Sequence, residues 1–125
     1  MLADAVATAS LPAQDLDRAR AFYSEKLGLE PARVVEGGTG LRYELGPSAF
    51  LVFESSGRPA GTHTQMAFTV ADADAEAARL RDAGVEFEEV EGLDQEDGIA
   101  TMGEVRGGWF KDSEGNLLGL VQELT

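Results

Sequence analysis

The sequence predicts an α+β fold built from two βαβββ modules, and two observations carry this prediction. The order of a strand, a helix started by Asp, a Gly stop and several short strands occurs twice in the 125 residues. The offset between the two copies is nearly constant, at 57 positions from Asp15 to Asp72 and 56 positions from Gly28 to Gly84. Because this length suits one domain, we expect a single domain over residues 1–125. Module one would span about 4–57, and module two about 62–125.

Each predicted helix has a start signal and a stop signal. In module one we expect a helix over 15–27, because the Asp15 carboxylate can accept hydrogen bonds from the first free amides. Apolar residues follow at helical spacing, at Leu16, Ala19, Phe22, Tyr23 and Leu27. Gly28 suits the left-handed position after a helix. In module two the same signals, Asp72 and Gly84, predict a helix over 72–83.

Short apolar or alternating stretches between turn residues predict the strands. In module one these are 5–11, which Pro12 should end, and then 32–36, 41–45 and 49–54. In module two they are 62–70, 85–90, 99–106, 108–111 and 117–124, with a turn at 112–116 before the last strand. One helix cannot cover both faces of about four strands. We therefore expect a curved mixed sheet with the helices on its outer face and a concave face left free.

The charge of the chain excludes several classes of partner. Ten Lys and Arg residues against 23 Asp and Glu residues give a net charge of −13, which would repel nucleic acid and anionic membranes. The acidity favours solubility, and a cationic ligand is the alternative. No apolar stretch approaches the roughly 20 residues that span a bilayer, and we expect no signal peptide. Without cysteine, disulfides and thiolate ligands are excluded, and we expect a cytoplasmic protein.

Three segments resemble the vicinal-oxygen-chelate superfamily, which includes glyoxalase I, bleomycin-resistance proteins and extradiol dioxygenases. They are the helix phrase 15–23 ending in Phe-Tyr with Leu-Gly-Leu at 27–29, the pair 66–70 and 80–85, and the closing segment 110–118. The resemblance covers essentially the whole chain. It is specific for the fold and says little about chemistry. Ser113 departs from the family, which usually has proline there.

The resemblance also implies where a metal would be held in the enzymes of the family. Carried onto this sequence, the four ligand positions are Thr8, Val52, Gln65 and Gly119. A divalent metal needs three or more imidazole or carboxylate ligands, and adding His63 to Gln65 still supplies too few. We therefore expect no metal and no other cofactor. The acidic residues Asp94, Glu96 and Asp97 lack the spacing of a calcium loop and are interpreted as a solvated loop.

The free face offers few catalytic groups and more binding groups. A nucleophile would require Ser10 or Thr8 beside His63 and a carboxylate, and nothing in the spacing places them together. An apolar pocket with a few polar groups is the usual small-molecule site. We predict that alternation places Thr8, Gln65 and Gly119 on the concave face, with Phe50 and Val52 if Val52 is the ligand-equivalent position. The expected ligand-binding residues are Thr8, Tyr43, Phe50, Val52, His63, Gln65, Met102, Trp109 and Gly119, and none is assigned a catalytic role.

These observations favour a binding protein without excluding an enzyme. The bleomycin-resistance branch implies a metal-independent homodimer that sequesters a hydrophobic or aromatic natural product. The alternative is a glyoxalase-like or dioxygenase-like lyase or isomerase with an atypical site, and a structural or accessory subunit is a third possibility. Uncovered sheet faces also favour a homodimer, because large exposed apolar patches usually mark interfaces.

Overall fold

The computed structural model describes residues 1–125 and confirms the α+β class. A short 3-10 helix at Leu2–Asp4 precedes two βαβββ units. The first unit contains β1 Ala9–Ala13, α1 Leu16–Leu27, β2 Arg33–Val34, β3 Gly40–Leu45 and β4 Ser48–Glu54. The second contains β5 Met66–Thr69, α2 Ala73–Asp82, β6 Ala100–Met102, β7 Val105–Lys111 and β8 Leu117–Glu123. Neither helix is long and apolar enough to cross a membrane.

The strands form two four-stranded mixed sheets with equivalent orders, β1-β4-β3-β2 and β5-β8-β7-β6. They are thus divided between two sheets, where the sequence suggested one curved sheet. In each module the first strand runs parallel to the last, which pairs Leu11 with Val52 and Phe68 with Leu120. The other neighbouring strands are antiparallel. The two registers make residues of the two modules structurally equivalent, position by position.

Both helices begin and end within one residue of the predicted positions. Asp15 Oδ1 accepts the amide of Arg18 at 2.9 Å, and Asp72 Oδ1 accepts the amide of Ala75 at 3.0 Å. Gly28 ends α1 with a φ of 69°, in the left-handed region that glycine adopts at low cost. The helix boundaries therefore follow from local capping, which the sequence displays directly.

Several strand predictions differ from the structure. The predicted strand 99–106 covers β6 and the start of β7, with a turn at Gly103 and Glu104 between them, and the predicted strands 32–36 and 62–70 are shorter than expected. Pro12 lies inside β1 and does not end it, because β1 is an edge strand and its ladder loses little from a missing amide hydrogen. The stretch 85–90 contains only an isolated bridge from Phe87 to Phe110. Glu88 N also donates to Trp109 O, so this stretch lies along β7 without becoming a full strand.

The helix-side faces of the two sheets meet in one hydrophobic core. Tyr43 stacks on Phe50 with ring centroids 5.0 Å apart, and Tyr23 of α1 packs against both rings. Phe50 of module one also meets Phe68 of module two edge to face, at 6.1 Å. This main core is shared by the two modules, and a smaller cluster of Ala77, Ile99 and Leu120 lies within module two.

This core overturns one expected assignment of faces. Phe50 and Val52 are buried on the α1 side of their sheet, at 3% and 0% exposure, so the expectation that they face the concave side is wrong. Tyr43 is fully buried in the same layer. All five residues from Ala49 to Phe53 are apolar, and a strand with no alternation does not reveal which side chains point inward.

Candidate functional site

The face of module two that points away from α2 carries the only tryptophan of the chain. Trp109 lies on β7 directly across from Gly119 on β8, whereas their neighbours Phe110 and Leu118 are buried in the core. Gly119 has no side chain, and an added Cβ there would meet Ala67 Cβ at 3.2 Å. Trp109 Nε1 donates to Thr64 Oγ1 at 2.9 Å. We call this side of the sheet the open face of module two.

A surface cleft of about 340 Å³ lies beside Trp109. The loop 61–64 forms one wall, and the stretch 88–90 forms the other. Leu117 of β8 adds an apolar surface. Glu88 approaches Lys111 Nζ at 3.5 Å, so one carboxylate of the cleft has a cationic neighbour. The cleft therefore combines one flat aromatic ring with hydroxyl, imidazole and carboxylate groups.

The structure brings only some of the predicted binding residues to this cleft. His63 and Trp109 both line it, and Gly119 faces Trp109 across the ladder. Met102 lies on β6, the edge strand of the same sheet, opposite Val105. The remaining residues lie elsewhere: Thr8 is exposed just before β1, Tyr43, Phe50 and Val52 are in the core, and Gln65 is engaged by the turn described below.

The four positions that the family uses for a metal do not fit one here. Val52 is an alkyl side chain in the core, and the two registers make Leu51, also an alkyl side chain, the counterpart of Gly119. Gly119 has no side chain, and Thr8 offers one hydroxyl. The side-chain amide of Gln65 is already used in structural hydrogen bonds. Its Nε2 donates to Asn116 Oδ1 at 2.9 Å, and its Oε1 accepts a hydrogen bond from the amide of Leu117 at 3.2 Å. No group of three or more His, Asp or Glu side chains could hold an ion.

The turn at 112–116, which we call the closing turn, joins module two to module one through buried polar groups. Asp112 Oδ1 accepts hydrogen bonds from the amides of Glu114 and Asn116 at 2.9 and 3.0 Å. Asp112 Oδ2 accepts a hydrogen bond from the hydroxyl of Tyr23 at 2.7 Å. Asn116 Nδ2 donates to Pro12 O at 3.0 Å. Burial, followed by the charge of Asp112, raises the pKa of Tyr23, so the phenol remains a donor.

Glu114 is the second anchor of the closing turn. Its carboxylate accepts Arg18 Nε at 2.7 Å and the amides of Gln14 and Asp15 at 3.0 and 3.1 Å. Ser113 Oγ also donates to it at 2.8 Å, which gives the residue that departs from the family a local role. The hydrogen bonds from Arg18 are the largest cause that lowers the pKa of Glu114 to about 2. Glu114 therefore holds the start of α1 while its side chain is only 1% exposed.

The sequence does not predict the contacts that the closing turn makes with module one. Asp112 and Glu114 stand in a glycine-containing turn, where acidic residues are usually solvated. Their partners Gln14, Arg18 and Tyr23 lie about 90 to 100 positions earlier. The only local signal was the Asp-x-x-Gly-Asn phrase itself, which indicated a turn and not what the turn contacts.

Comparisons with known proteins agree with this architecture. The family model described as the Glyoxalase/Bleomycin resistance protein/Dioxygenase superfamily matches residues 5–120. No curated protein matches the sequence. Among solved structures, TnmS3, an antibiotic binding protein from Streptomyces sp. CB03234, is similar with a TM-score of 0.68 and 24% identity. The alignment covers 96% of this chain and 98% of TnmS3.

Two other solved structures show the same fold. The fosfomycin resistance protein FosX from Listeria monocytogenes has a TM-score of 0.72 and 18% identity, covering 97% of this chain and 91% of its own. Lactoylglutathione lyase from Agrobacterium tumefaciens has a TM-score of 0.71 and 21% identity, covering 95% and 93%. At these identities the likenesses establish the fold alone. The match over residues 5–120 shows more: this chain belongs to the Glyoxalase/Bleomycin resistance protein/Dioxygenase superfamily.

Proposed function

We propose that the protein is a metal-independent small-molecule-binding protein that sequesters a hydrophobic or aromatic compound on the open face of module two. The observation that carries the proposal is the position of Trp109, whose indole lines a surface cleft opposite a residue without a side chain. Similarity to an antibiotic binding protein and to a fosfomycin resistance protein is compatible with a drug-resistance role of this kind.

The groups at the cleft suit binding better than the chemistry of a metal-dependent relative. The ring of Trp109 and the side chain of Leu117 supply stacking and apolar contact, while His63 supplies a polar group. An aromatic contact adds about 0.5–1.5 kcal/mol beyond the area it buries, which corresponds to roughly two- to twelve-fold in affinity. The family's metal positions provide no competing catalytic centre here, for the reasons given above.

We propose further that the protein is a cytoplasmic homodimer. On module one, the face that points away from α1 carries Leu51 and the 39% exposed Phe53, and neither helix covers it. An uncovered apolar face is typical of an interface. Light scattering at micromolar concentration should give twice the chain mass of 13.3 kDa. A mass of one chain would contradict the dimer.

A thermal-shift screen of aromatic natural products, followed by fluorescence titration, tests the binding function. A bound compound should change the emission of Trp109 saturably, and Trp109→Ala should weaken its binding several-fold, whereas Trp109→Phe retains a ring and should lose less. If calorimetry shows binding while the emission stays flat, the ligand lies elsewhere. If NMR spectra of the compound show that it is converted, the protein is a lyase or isomerase of the superfamily instead of a binder.

A further inference from the structure

A second cavity lies between the two modules, on the opposite side of the sheets from Trp109. Its volume is about 130 Å³, and eight of its nine lining residues are apolar. Phe110 and Leu120 line it, whereas Trp109 and Gly119, the residues just before them in the strands, face the other way, as side chains alternate along a strand. The cavity is therefore separate from the cleft of the proposed function.

The internal repeat shows why a cavity exists at this place. Leu80 of α2 occupies the position that Tyr23 occupies in α1, because both follow the helix-capping Asp by eight residues. Tyr23 is fully buried, and its hydroxyl reaches Asp112 in the opposing turn. Leu80 is shorter and has no hydroxyl, so it leaves space where Tyr23 fills it.

The turns that face Tyr23 and Leu80 also differ in length, and the shorter turn faces the smaller side chain. The closing turn opposite Tyr23 has five residues, 112–116, between β7 and β8. The corresponding connection between β3 and β4 has two residues, Gly46 and Pro47. Leu45, just before this shorter turn, lines the cavity together with Leu80. One joint between the modules is thus filled by side chains and polar bonds, and the other is open.

We propose that this cavity binds a small apolar molecule about the size of one benzene ring, such as a monocyclic aromatic or a short branched alkyl group. An enclosed apolar cavity of about 150 Å³ in another protein binds benzene, and this cavity has nearly that volume, although it opens partly to the surface. Its single polar lining residue is Glu76, whose carboxylate already pairs with Arg79. The lining is therefore matched to an uncharged ring and not to an ion.

Toluene is the probe for the test, because it is apolar and carries one ring. Added to the whole protein, toluene should raise the melting temperature saturably and shift the methyl resonances of Leu45 and Leu80. Leu80→Phe, which introduces the ring that the equivalent position of module one already has, should weaken toluene binding at least ten-fold. Leu124→Phe, the same exchange at a 45% exposed position that does not line the cavity, is the matched control and should retain the toluene affinity of the unaltered chain within two-fold. Trp109→Ala tests whether toluene occupies the cleft of the proposed function instead.

Three results would overturn the proposal: no saturable effect of toluene, unchanged toluene binding in a folded Leu80→Phe variant, or loss of toluene binding in Trp109→Ala, which would place the probe in the cleft. If Leu80→Phe does not fold, crystals of the unaltered protein under xenon pressure decide the question. Xenon density between Leu45, Leu80 and Leu120 supports the site, and its absence there rejects it.

Discussion

The hydroxyl of Tyr23 donates a 2.7 Å hydrogen bond to Asp112, and this bond joins α1 of module one to the closing turn of module two. Both side chains are buried, so the bond forms where water does not compete for it. Asp112 also organises its own turn through two backbone amides. One carboxylate therefore shapes the turn and attaches it to the other module.

Removing this hydroxyl should destabilise the protein, whereas removing the hydroxyl of the neighbouring Tyr43 should not. Tyr43 Oη is buried without a hydrogen-bond partner, and an unsatisfied buried hydroxyl contributes no favourable bond. We expect Tyr23→Phe to lower the free energy of unfolding by about 1–2 kcal/mol, because Asp112 loses a partner. Tyr43→Phe should leave it unchanged or raise it. Urea unfolding of both variants measures the difference, and equal losses would contradict this account.

Replacing Glu114 by glutamine should weaken the same joint through lost charge. Glu114→Gln keeps the size of the side chain but replaces charge-assisted hydrogen bonds, which contribute about 1.5–3 kcal/mol. We expect a loss of roughly 2 kcal/mol in the free energy of unfolding. Glu86→Gln, at an exposed position, is the matched control and should change stability by less than about 0.5 kcal/mol. A comparable loss in both variants would mean that the bonds of Glu114 are not the cause.

The contribution of Glu114 to stability should disappear in acid. Its pKa is lowered in the folded protein from an ordinary value of 4.5 to about 2, so the unfolded chain takes up the proton first as the pH falls. The stabilisation is fully present above about pH 4.5 and is lost progressively as the pH falls towards 2. The difference in unfolding free energy between the unaltered protein and Glu114→Gln should therefore shrink from about pH 6 to pH 3. A constant difference would reject this.

Gly98→Ala should cost more than Gly46→Ala, although both glycines have a positive φ. At Gly46, where φ is 56°, no atom lies within 4 Å of an added Cβ, so the cost is the left-handed backbone alone, about 1–2 kcal/mol. At Gly98, where φ is 84°, the added atom would overlap Phe87 Cβ. Overpacking adds about 1–3 kcal/mol. Thermal unfolding of the two variants measures the difference, and similar melting temperatures would show that Phe87 moves aside easily.

The parts of the fold that sequence predicts well are those set by neighbouring residues. Asp15, Asp72 and Gly28 act on amides and carbonyls within four positions, and the helices begin and end as expected. The direction of Phe50 depends instead on the register with β3, and an apolar run contains no information about it. The candidate site shows the same contrast. The sequence predicts that Trp109 borders a pocket, and its indole lines the cleft. The sequence does not predict that the amide of Gln65 bonds to the closing turn, because its partner Asn116 is 51 positions away.

The closing turn also sets when the molecule can complete its structure. Gln14, Arg18 and Tyr23 belong to α1 and the residues just before it, yet their partners Asp112 and Glu114 are synthesised about 90 to 100 residues later. Synthesis proceeds from the N-terminus at about 5–20 residues per second, so several seconds separate the synthesis of these groups from that of their partners. Contacts of such long sequence separation also slow folding. The contacts between the closing turn and α1 can therefore form only after both modules have been synthesised.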